Sequence, residues 1–198
     1  MKLLHTPRLF AWSQFDEARN IDFNSVLWCC PDGNVAIDPL PLSQHDQDHL
    51  QALGGVTWIV ITNSDHVRDA LALQHLTGAR IFGPEGERDS FPIRCDAYLR
   101  TGSERIQGLE VIALEGSKTP GELALILEDT TLVTGDLIRC HQGGRLHLLP
   151  DAKLADKAAA LKSVRLLTEY KRLETVIVGD GWPLFSGAQA ALKALLQA

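Results

Sequence analysis

The chain carries the run VTWIVIT at residues 56–62, followed directly by NSDH at residues 63–66. Apolar residues occupy nearly every position of the first run, which is typical of a buried strand. The polar residues after it predict a loop. In layered α/β folds, side chains converge on a ligand where such strands end. This stretch therefore predicts a core strand that leads into a candidate functional loop.

The flanking segments alternate strands with helices. Upstream, residues 25–30 and 34–38 are rich in β-forming residues and are joined by a Pro-Asp-Gly turn, which predicts a hairpin. Downstream, a helix capped by Ser64 or Asp65 is expected to end at Gly78. Residues 84–103 are expected to follow the surface. Further strands are predicted at 80–83, 109–114, 122–127, 131–134 and 174–178, and further helices at 43–53, at 151–172 and from about 188. This order predicts a layered α/β domain.

Composition narrows the class of protein. With 198 residues, 45% of them hydrophobic, the chain is expected to form one domain over residues 1–198. A net charge of −6 is the wrong sign for a nucleic-acid partner. No apolar run reaches the length of a signal peptide or a membrane span, so no membrane partner is expected. Four cysteines without a CxxC pair indicate free thiols and a cytoplasmic protein.

Carboxylates stand where four predicted strands end. The loops concerned lie at residues 37–39, 62–66, 134–136 and 178–181. They contain Asp38, Asp65, Asp136 and Asp180. A further turn bounded by Gly and Pro, residues 116–121, contains Lys118. Loops at strand ends are common positions for binding and catalytic residues, so these side chains are the candidates for a functional site.

The same motifs, in the same order, resemble those of the metallo-β-lactamase superfamily. They are Ile37-Asp38, Thr62 to His66, Thr119-Pro120-Gly121, Thr134-Gly135-Asp136 and Gly179-Asp180-Gly181. The resemblance implies a four-layer αββα sandwich. It also implies a metal site built from a Thr-His-x-His-x-Asp-His loop, a histidine before Pro-Gly, a bridging aspartate after Thr-Gly and a final histidine between glycines. Asp136 matches the bridging aspartate, while Lys118 and Asp180 stand where the two later histidines would be.

The first motif aligns in two ways. Counting forward from Thr62 places Asn63 and Asp65 on the first two histidines and Val67 and Arg68 on the Asp-His pair. In this alignment three aspartates face two cations, Lys118 and Arg68, which predicts a salt-bridged cluster without metal.

Counting back from Gly78 instead makes Asp65 and His66 the Asp-His pair. We favour this second alignment, because it keeps two identities and places a deletion in a loop. It implies one metal position formed by Asp65, His66, Asp136 and Asp180. One nitrogen and three carboxylates suit Mn, Fe or Mg better than Zn.

Two functions follow from the resemblance. In the first, the chain is a hydrolase. A metal held by Asp65, His66, Asp136 and Asp180 activates water, and Lys118 stabilises the developing oxyanion. In the second, Lys118 replaces the metals, and a non-catalytic relative binds a small anionic or carbonyl ligand or a protein partner. The metal-free arrangement is preferred, because most histidines of the motif are missing. Structural roles are the alternative for single residues, such as a helix cap for Asp65 and a hydrogen-bonded core histidine for His66.

Overall fold

The computed structural model describes residues 1–197. A seven-stranded sheet forms the N-terminal half, and its strands lie side by side in their order along the chain. They are β1 (Lys2–Leu3), β2 (Leu9–Asp16), β3 (Ile21–Trp28), β4 (Val35–Ile37), β5 (Trp58–Val60), β6 (Arg80–Pro84) and β7 (Ala97–Leu99). Strands β1 to β4 pair antiparallel, and β4 to β7 pair parallel.

A second sheet forms the C-terminal half. Its members are β8 (Leu109–Ala113), β9 (Leu123–Leu127), β10 (Thr131–Thr134) and β13 (Thr175–Val178), in the spatial order β13-β10-β9-β8. A separate hairpin is formed by β11 (Ile138–Gln142) and β12 (Arg145–Leu148). Strand β10 pairs parallel with β13 and antiparallel with β9, so β10 and β13 end at the same edge of this sheet.

Helices cover the outer face of each sheet. They are α1 (Gln44–Ala52), α2 (Ala70–Thr77), α3 (Lys157–Leu167) and α4 (Ala188–Leu195), with short 3₁₀ helices at Ser64–His66, Glu85–Glu87 and Asp151–Lys153. Buried side chains of α1 and α2 pack on the first sheet. Those of α3 and α4 pack on the second sheet. The layers are therefore helix, sheet, sheet and helix, and the predicted αββα sandwich is confirmed.

The alternation of side chains along a strand produces this layering. In β3, Val26 and Trp28 enter the core between the two sheets, whereas Leu27 enters the core between the first sheet and its helices. Both faces of these strands are buried. This explains why the central strands read as nearly continuous apolar runs.

Two helix predictions needed correction at their boundaries. The helix expected from Ser64 or Asp65 begins only at Ala70, because residues 64–66 form a separate 3₁₀ turn and Arg68 adopts a left-handed conformation (φ 43°) that interrupts the helix. The helix predicted at 151–172 spans only Lys157–Leu167. The side chain of Asp156 accepts a hydrogen bond from the Ala159 amide and thereby caps its start.

Several strands were not predicted. They are β1, β2, β7 and the hairpin of β11 and β12. The exposed half of β2 carries polar residues and the partly exposed aromatic Phe15, so its apolar pattern is weak, and pairing with β3 stabilises it. Among the helices of residues 1–197, none is long and apolar enough to cross a membrane.

Candidate functional site

The ends of strands from both sheets meet at one edge of the sandwich. Backbone hydrogen bonds join the sheets there: the Leu123 amide donates to the Thr62 carbonyl (2.8 Å), and the Asn24 amide donates to the Gly179 carbonyl (2.9 Å). The loops after β4, β5, β10 and β13 consequently lie together. Gly135 is part of this junction, because a Cβ atom there would lie only 2.7 Å from the Asn63 side-chain nitrogen.

Lys118 bridges two of the predicted site residues. Its Nζ lies 2.7 Å from Oδ2 of Asp65 and 3.0 Å from Oδ2 of Asp136. Asp136 is buried, whereas Asp65 is exposed on its outer side. Burial alone would lower the pKa of Lys118, but the hydrogen bond to Asp65 and the charge of Asp136 outweigh it, so the pKa of the ammonium group is raised. The lysine is therefore a firmly charged cation between two carboxylates.

Arg139 bridges the second pair of carboxylates. One terminal nitrogen of its guanidinium lies 3.2 Å from Oδ1 of Asp136 and 3.0 Å from Oδ2 of Asp180. His141 Nε2 approaches Asp180 Oδ2 at 3.3 Å. The Arg139 side chain is only 14% exposed, and both aspartates are almost completely buried. Lys118 and Arg139 thus link Asp65, Asp136 and Asp180 into a continuous chain of ion pairs.

Asp136 is the centre of this chain. Besides Lys118 and Arg139, it accepts a hydrogen bond from the Asn63 side-chain nitrogen (3.2 Å) and faces His66 Nε2 at 3.7 Å. Burial would raise the pKa of Asp136, but the nearby His66 imidazole and the contact with the Lys118 ammonium group outweigh it and hold the pKa well below its usual range. Asp136 is therefore ionised at neutral pH.

His66 connects the site to the first sheet. Its Nδ1 lies 2.8 Å from Oδ2 of Asp38, and the same carboxylate oxygen accepts a hydrogen bond from the Thr62 hydroxyl (2.6 Å). The histidine is buried, and burial would lower its pKa. The charge of Asp38, the hydrogen bond to Asp38 and the nearby Asp136 carboxylate outweigh burial and raise the pKa of His66 to about 9.

This shift predicts how stability depends on pH. The pKa of His66 is about 6.5 when unfolded and about 9 when folded, so its contribution is complete below pH 6.5 and is lost as the pH rises through 9. We expect the free energy of unfolding of the parent chain to fall by a few kcal/mol over this range. The fall should be much smaller in His66→Gln. Urea unfolding at several pH values measures it, and parallel curves for the two proteins would contradict the prediction.

Arg68 has a structural part in the site. Its guanidinium donates hydrogen bonds to the carbonyl oxygens of Asn24 (2.5 Å), Asp38 (3.0 Å) and Gly179 (3.1 Å), which belong to segments of both halves of the molecule. A left-handed φ of 43° at Arg68 brings the side chain to this position. The forward alignment placed Arg68 opposite the aspartates. In the structure it ties backbone segments together, and Arg139 holds the carboxylates instead.

A buried glutamate supports the two loops from behind. Oε2 of Glu122 accepts a hydrogen bond from the Ser117 hydroxyl (2.5 Å), and Oε1 accepts one from the Leu137 amide (2.7 Å). Burial raises the pKa of Glu122 to about 7. Since Ser117 precedes Lys118 and Leu137 follows Asp136, Glu122 fixes the separation of these two loops.

A cleft of about 740 Å³ opens over the ion pairs. Ile21, Phe23 and Leu40 form an apolar wall. The charged lining consists of five cations, Arg19, Arg68, Lys118, Arg139 and Lys153, and four carboxylates, Asp16, Asp65, Asp136 and Asp180. His66 adds a further positive charge at neutral pH, which Asp38 behind it compensates. This cleft (hereafter the central cleft) is the candidate binding site.

A sequence profile of the metallo-beta-lactamase superfamily matches residues 1–198. The chain belongs to this superfamily. Solved structures share its fold. A metallo-beta-lactamase from Pontibacter korlensis superposes with a TM-score of 0.74 at 18% identity, with 100% of this chain and 96% of the other covered. A metallo-beta-lactamase family protein from Thermus thermophilus superposes with a TM-score of 0.72 at 17% identity, covering 97% and 79%. A search of curated proteins finds no match.

A third neighbour carries a metal. The metallo-beta-lactamase FIM-1 from Pseudomonas aeruginosa, solved in a mono-zinc form, superposes with a TM-score of 0.73 at 14% identity, covering 96% of this chain and 88% of the other. At such identities the superpositions establish the fold alone. Whether this member of the superfamily can hold a metal depends on its own side chains.

As they are arranged in the structure, the candidate ligand side chains of this chain do not fit a metal ion. Among the described residues, no group of three or more His, Cys, Asp or Glu side chains is placed to hold one. The predicted set of Asp65, His66, Asp136 and Asp180 lines the central cleft, but its members are not gathered around one point. Lys118 and Arg139 occupy the spaces between the carboxylates, and His66 directs Nδ1 at Asp38. In this arrangement the carboxylates form ion pairs with Lys118 and Arg139.

The contacts around Lys118 bear on the two alignments of the first motif. Counted forward from Thr62, the motif places Asn63, Asp65 and Lys118 on the three histidine positions of the superfamily. In the structure Asn63 and Lys118 both contact Oδ2 of Asp136, and Lys118 also contacts Asp65. The backward count paired Asp65 with His66. Here Asp65 lies on the outer side of the loop and does not cap α2, whose N-cap residue is Asp69. Asn63 caps the 3₁₀ helix at Ser64–His66, because its side chain accepts a hydrogen bond from the Asp65 amide (3.0 Å).

The site residues predicted from the sequence, Asp65, His66, Lys118, Asp136 and Asp180, all line the central cleft. Arg139 was not predicted, because its only sequence signal was its position three residues after Asp136, in a strand that was itself not predicted. The pairing of Asp38 with His66 was not predicted either, because 28 residues separate them and the parallel neighbours β4 and β5 bring them together.

Proposed function

We propose that this chain is a metal-free member of the superfamily that binds a small anionic molecule in the central cleft. The observation that carries the proposal is the position of Lys118. Its ammonium group lies 2.7 Å from Asp65 and 3.0 Å from Asp136, at the edge of the sandwich where the superfamily motif would place a metal. Arg139 acts in the same way between Asp136 and Asp180. Protein cations thereby supply the positive charge that a metal would bring.

Electrostatics supports the absence of a metal at this point. At an effective dielectric constant of about 20, a divalent ion about 4 Å from an ammonium group is repelled by roughly 8 kcal/mol. The carboxylates that would compensate this repulsion are already shared with Lys118 and Arg139. A metal could bind only if these cations moved away. A hydrolase that activates water on a metal would need the same rearrangement.

The charge of the lining supports an anionic ligand. The whole chain has a net charge of −6, yet the central cleft has more cationic than acidic side chains. Arg19 and Lys153 are exposed at its mouth, and Arg19 has only a distant partner in Asp16 (3.8 Å). An anion near these two side chains gains favourable charge without breaking the inner ion pairs.

Metal analysis and anion titration test the proposal together. Protein purified without chelator and supplemented with Zn²⁺ or Mn²⁺ should contain far less than one metal ion per chain. Inorganic phosphate should bind in isothermal titration, and its affinity should fall about tenfold in Arg19→Ala/Lys153→Ala, by the loss of two charge-assisted contacts. Lys162→Ala is the matched control, because Lys162 is an exposed lysine of α3 outside the cleft. Stoichiometric metal that disappears in Asp136→Ala would overturn the metal-free proposal, and unchanged phosphate affinity would overturn the anion site.

A further inference from the structure

A second cavity adjoins the central cleft. It has a volume of about 430 Å³ and lies between the turn that joins β2 to β3 and the segment after Asp180. Phe15, Arg19 and Ile21 line one side, and His141 and Trp182 line the other. We call this cavity the Trp182 groove. Phe15, His141 and Trp182 do not line the central cleft, so the groove is a distinct compartment.

Two aromatic rings are left open to solvent in the groove. Trp182 is 60% exposed and Phe15 is 53% exposed. By contrast, Trp12 and Trp28 are buried in the core. Burial of a large aromatic side chain is strongly favourable. Exposed aromatic surface beside a polar cleft is therefore typical of a site that contacts a ligand. The groove thus offers two rings to a flat apolar group.

The backbone holds Trp182 in place before any ligand arrives. The Trp182 amide donates to the Cys140 carbonyl (2.8 Å), and the Gly181 amide donates to the Asp22 carbonyl (2.8 Å). Gly181 has a φ of 99°, and a Cβ atom there would lie 2.3 Å from the Cys140 carbonyl oxygen. The segment is therefore locked between β3 and β11. A ligand that binds there does not have to order this backbone segment.

The groove and the central cleft share a wall. Arg19 and Ile21 line both cavities. His141 of the groove approaches Asp180 of the cleft (Nε2 to Oδ2, 3.3 Å). Arg19 also lies over the ring of Phe23, 5.6 Å from its centroid, and its side chain is 68% exposed. A single small molecule can therefore contact the Arg19 guanidinium and reach into the groove.

We propose that the Trp182 groove is an aromatic subsite, and that the ligand of this chain is an aryl anion, an aromatic ring that bears a phosphate or a carboxylate. The inference rests on the proposed anion site in the central cleft and names the class of molecule that fits it. The anionic group lies near Arg19 and Lys153. The ring lies against Trp182 and Phe15, where stacking and apolar burial add to the affinity.

Calorimetric titration with four probes tests the subsite. Inorganic phosphate and acetate supply the anionic groups alone, while phenyl phosphate and benzoate add the ring and separate the two anion chemistries. At least one aryl probe should bind about tenfold more tightly than its ring-free counterpart, as expected for one stacked aromatic group. Trp182→Ala should abolish that advantage and leave the affinity for the ring-free ion unchanged. Phe185→Ala is the matched control, because Phe185 is an exposed aromatic residue outside the groove.

The outcomes separate this inference from the proposed function. If inorganic phosphate binds and neither ring improves affinity, the aromatic subsite is overturned and the anion site stands. An advantage of the ring that survives in Trp182→Ala also overturns the subsite. Binding of none of the four probes overturns both. If light scattering shows a dimer that Trp182→Ala converts to a monomer, the groove is a contact between copies of the chain and the subsite is overturned.

Discussion

The Arg139→Met variant is expected to lose about 3 to 5 kcal/mol of unfolding free energy, the usual cost of removing one partner from a buried ion pair. Arg139 lies between Asp136 and Asp180, and both aspartates are almost completely buried. Methionine retains much of the side-chain volume but none of the charge. Lys118 still compensates Asp136. Among the described residues, the ion-pair contact left to Asp180 would be the approach of His141 Nε2 to its Oδ2 (3.3 Å).

Urea unfolding at neutral pH measures this loss. Lys157→Met is the matched control: its partner Asp151 lies 2.7 Å away, but the two side chains are 55% and 67% exposed, so it should cost at most about 1 kcal/mol. Adding Asp180→Asn to Arg139→Met should recover part of the stability, because the buried charge is then removed as well. Equal losses in Arg139→Met and Lys157→Met would refute the structural importance of the inner ion pair.

A variant with three substitutions, Asn63→His, Asp65→His and Lys118→His, is expected to bind one Zn²⁺ per chain. In the forward alignment these positions are the three histidines of the superfamily motif. In the structure Asn63 and Lys118 both contact Asp136, and Lys118 also contacts Asp65. Neutral imidazoles are good zinc ligands, and removal of the ammonium group eliminates its repulsion of the ion. Elemental analysis after dialysis against Zn²⁺ measures the gain. The parent chain, treated in the same way, should remain far below one equivalent.

The matched control retains the cation. Asn63→His/Asp65→His with Lys118 unchanged has two new imidazoles and the original ammonium group, and we expect it to bind far less zinc than the triple variant. If the two variants load equally, Lys118 does not substitute for a metal. If the triple variant folds, as shown by circular dichroism, and takes up no zinc, the forward alignment of residues 62–68 is wrong.

Strands and helices could be predicted from the sequence where one or both of their faces are buried, because burial gives them a regular apolar pattern. The run at 56–62 contains β5. In the second half, α4 begins at the predicted residue 188, whereas the helix predicted at 151–172 was too long at both ends. Strand β2 and the hairpin of β11 and β12 were missed, because partners in the tertiary structure stabilise them more than their own pattern does. Because Arg139 lies in that hairpin, it was not predicted as a site residue, and neither was its bridge between Asp136 and Asp180.

From the residues alone, a layered α/β domain could be predicted, with candidate loops that carry Asp65, Lys118, Asp136 and Asp180. The resemblance of their motifs to the metallo-β-lactamase superfamily implied the αββα sandwich. Motif order and apolar periodicity are local properties, so they can be read along the chain. The pairs of charges that contact one another could not be predicted in this way, because they depend on the three-dimensional arrangement. Ion pairs depend on distances of about 3 Å between residues far apart in sequence, and two alignments of one loop predicted different partners. The fold placed Lys118 and Arg139 among the aspartates, and used Arg68 to tie the backbone together.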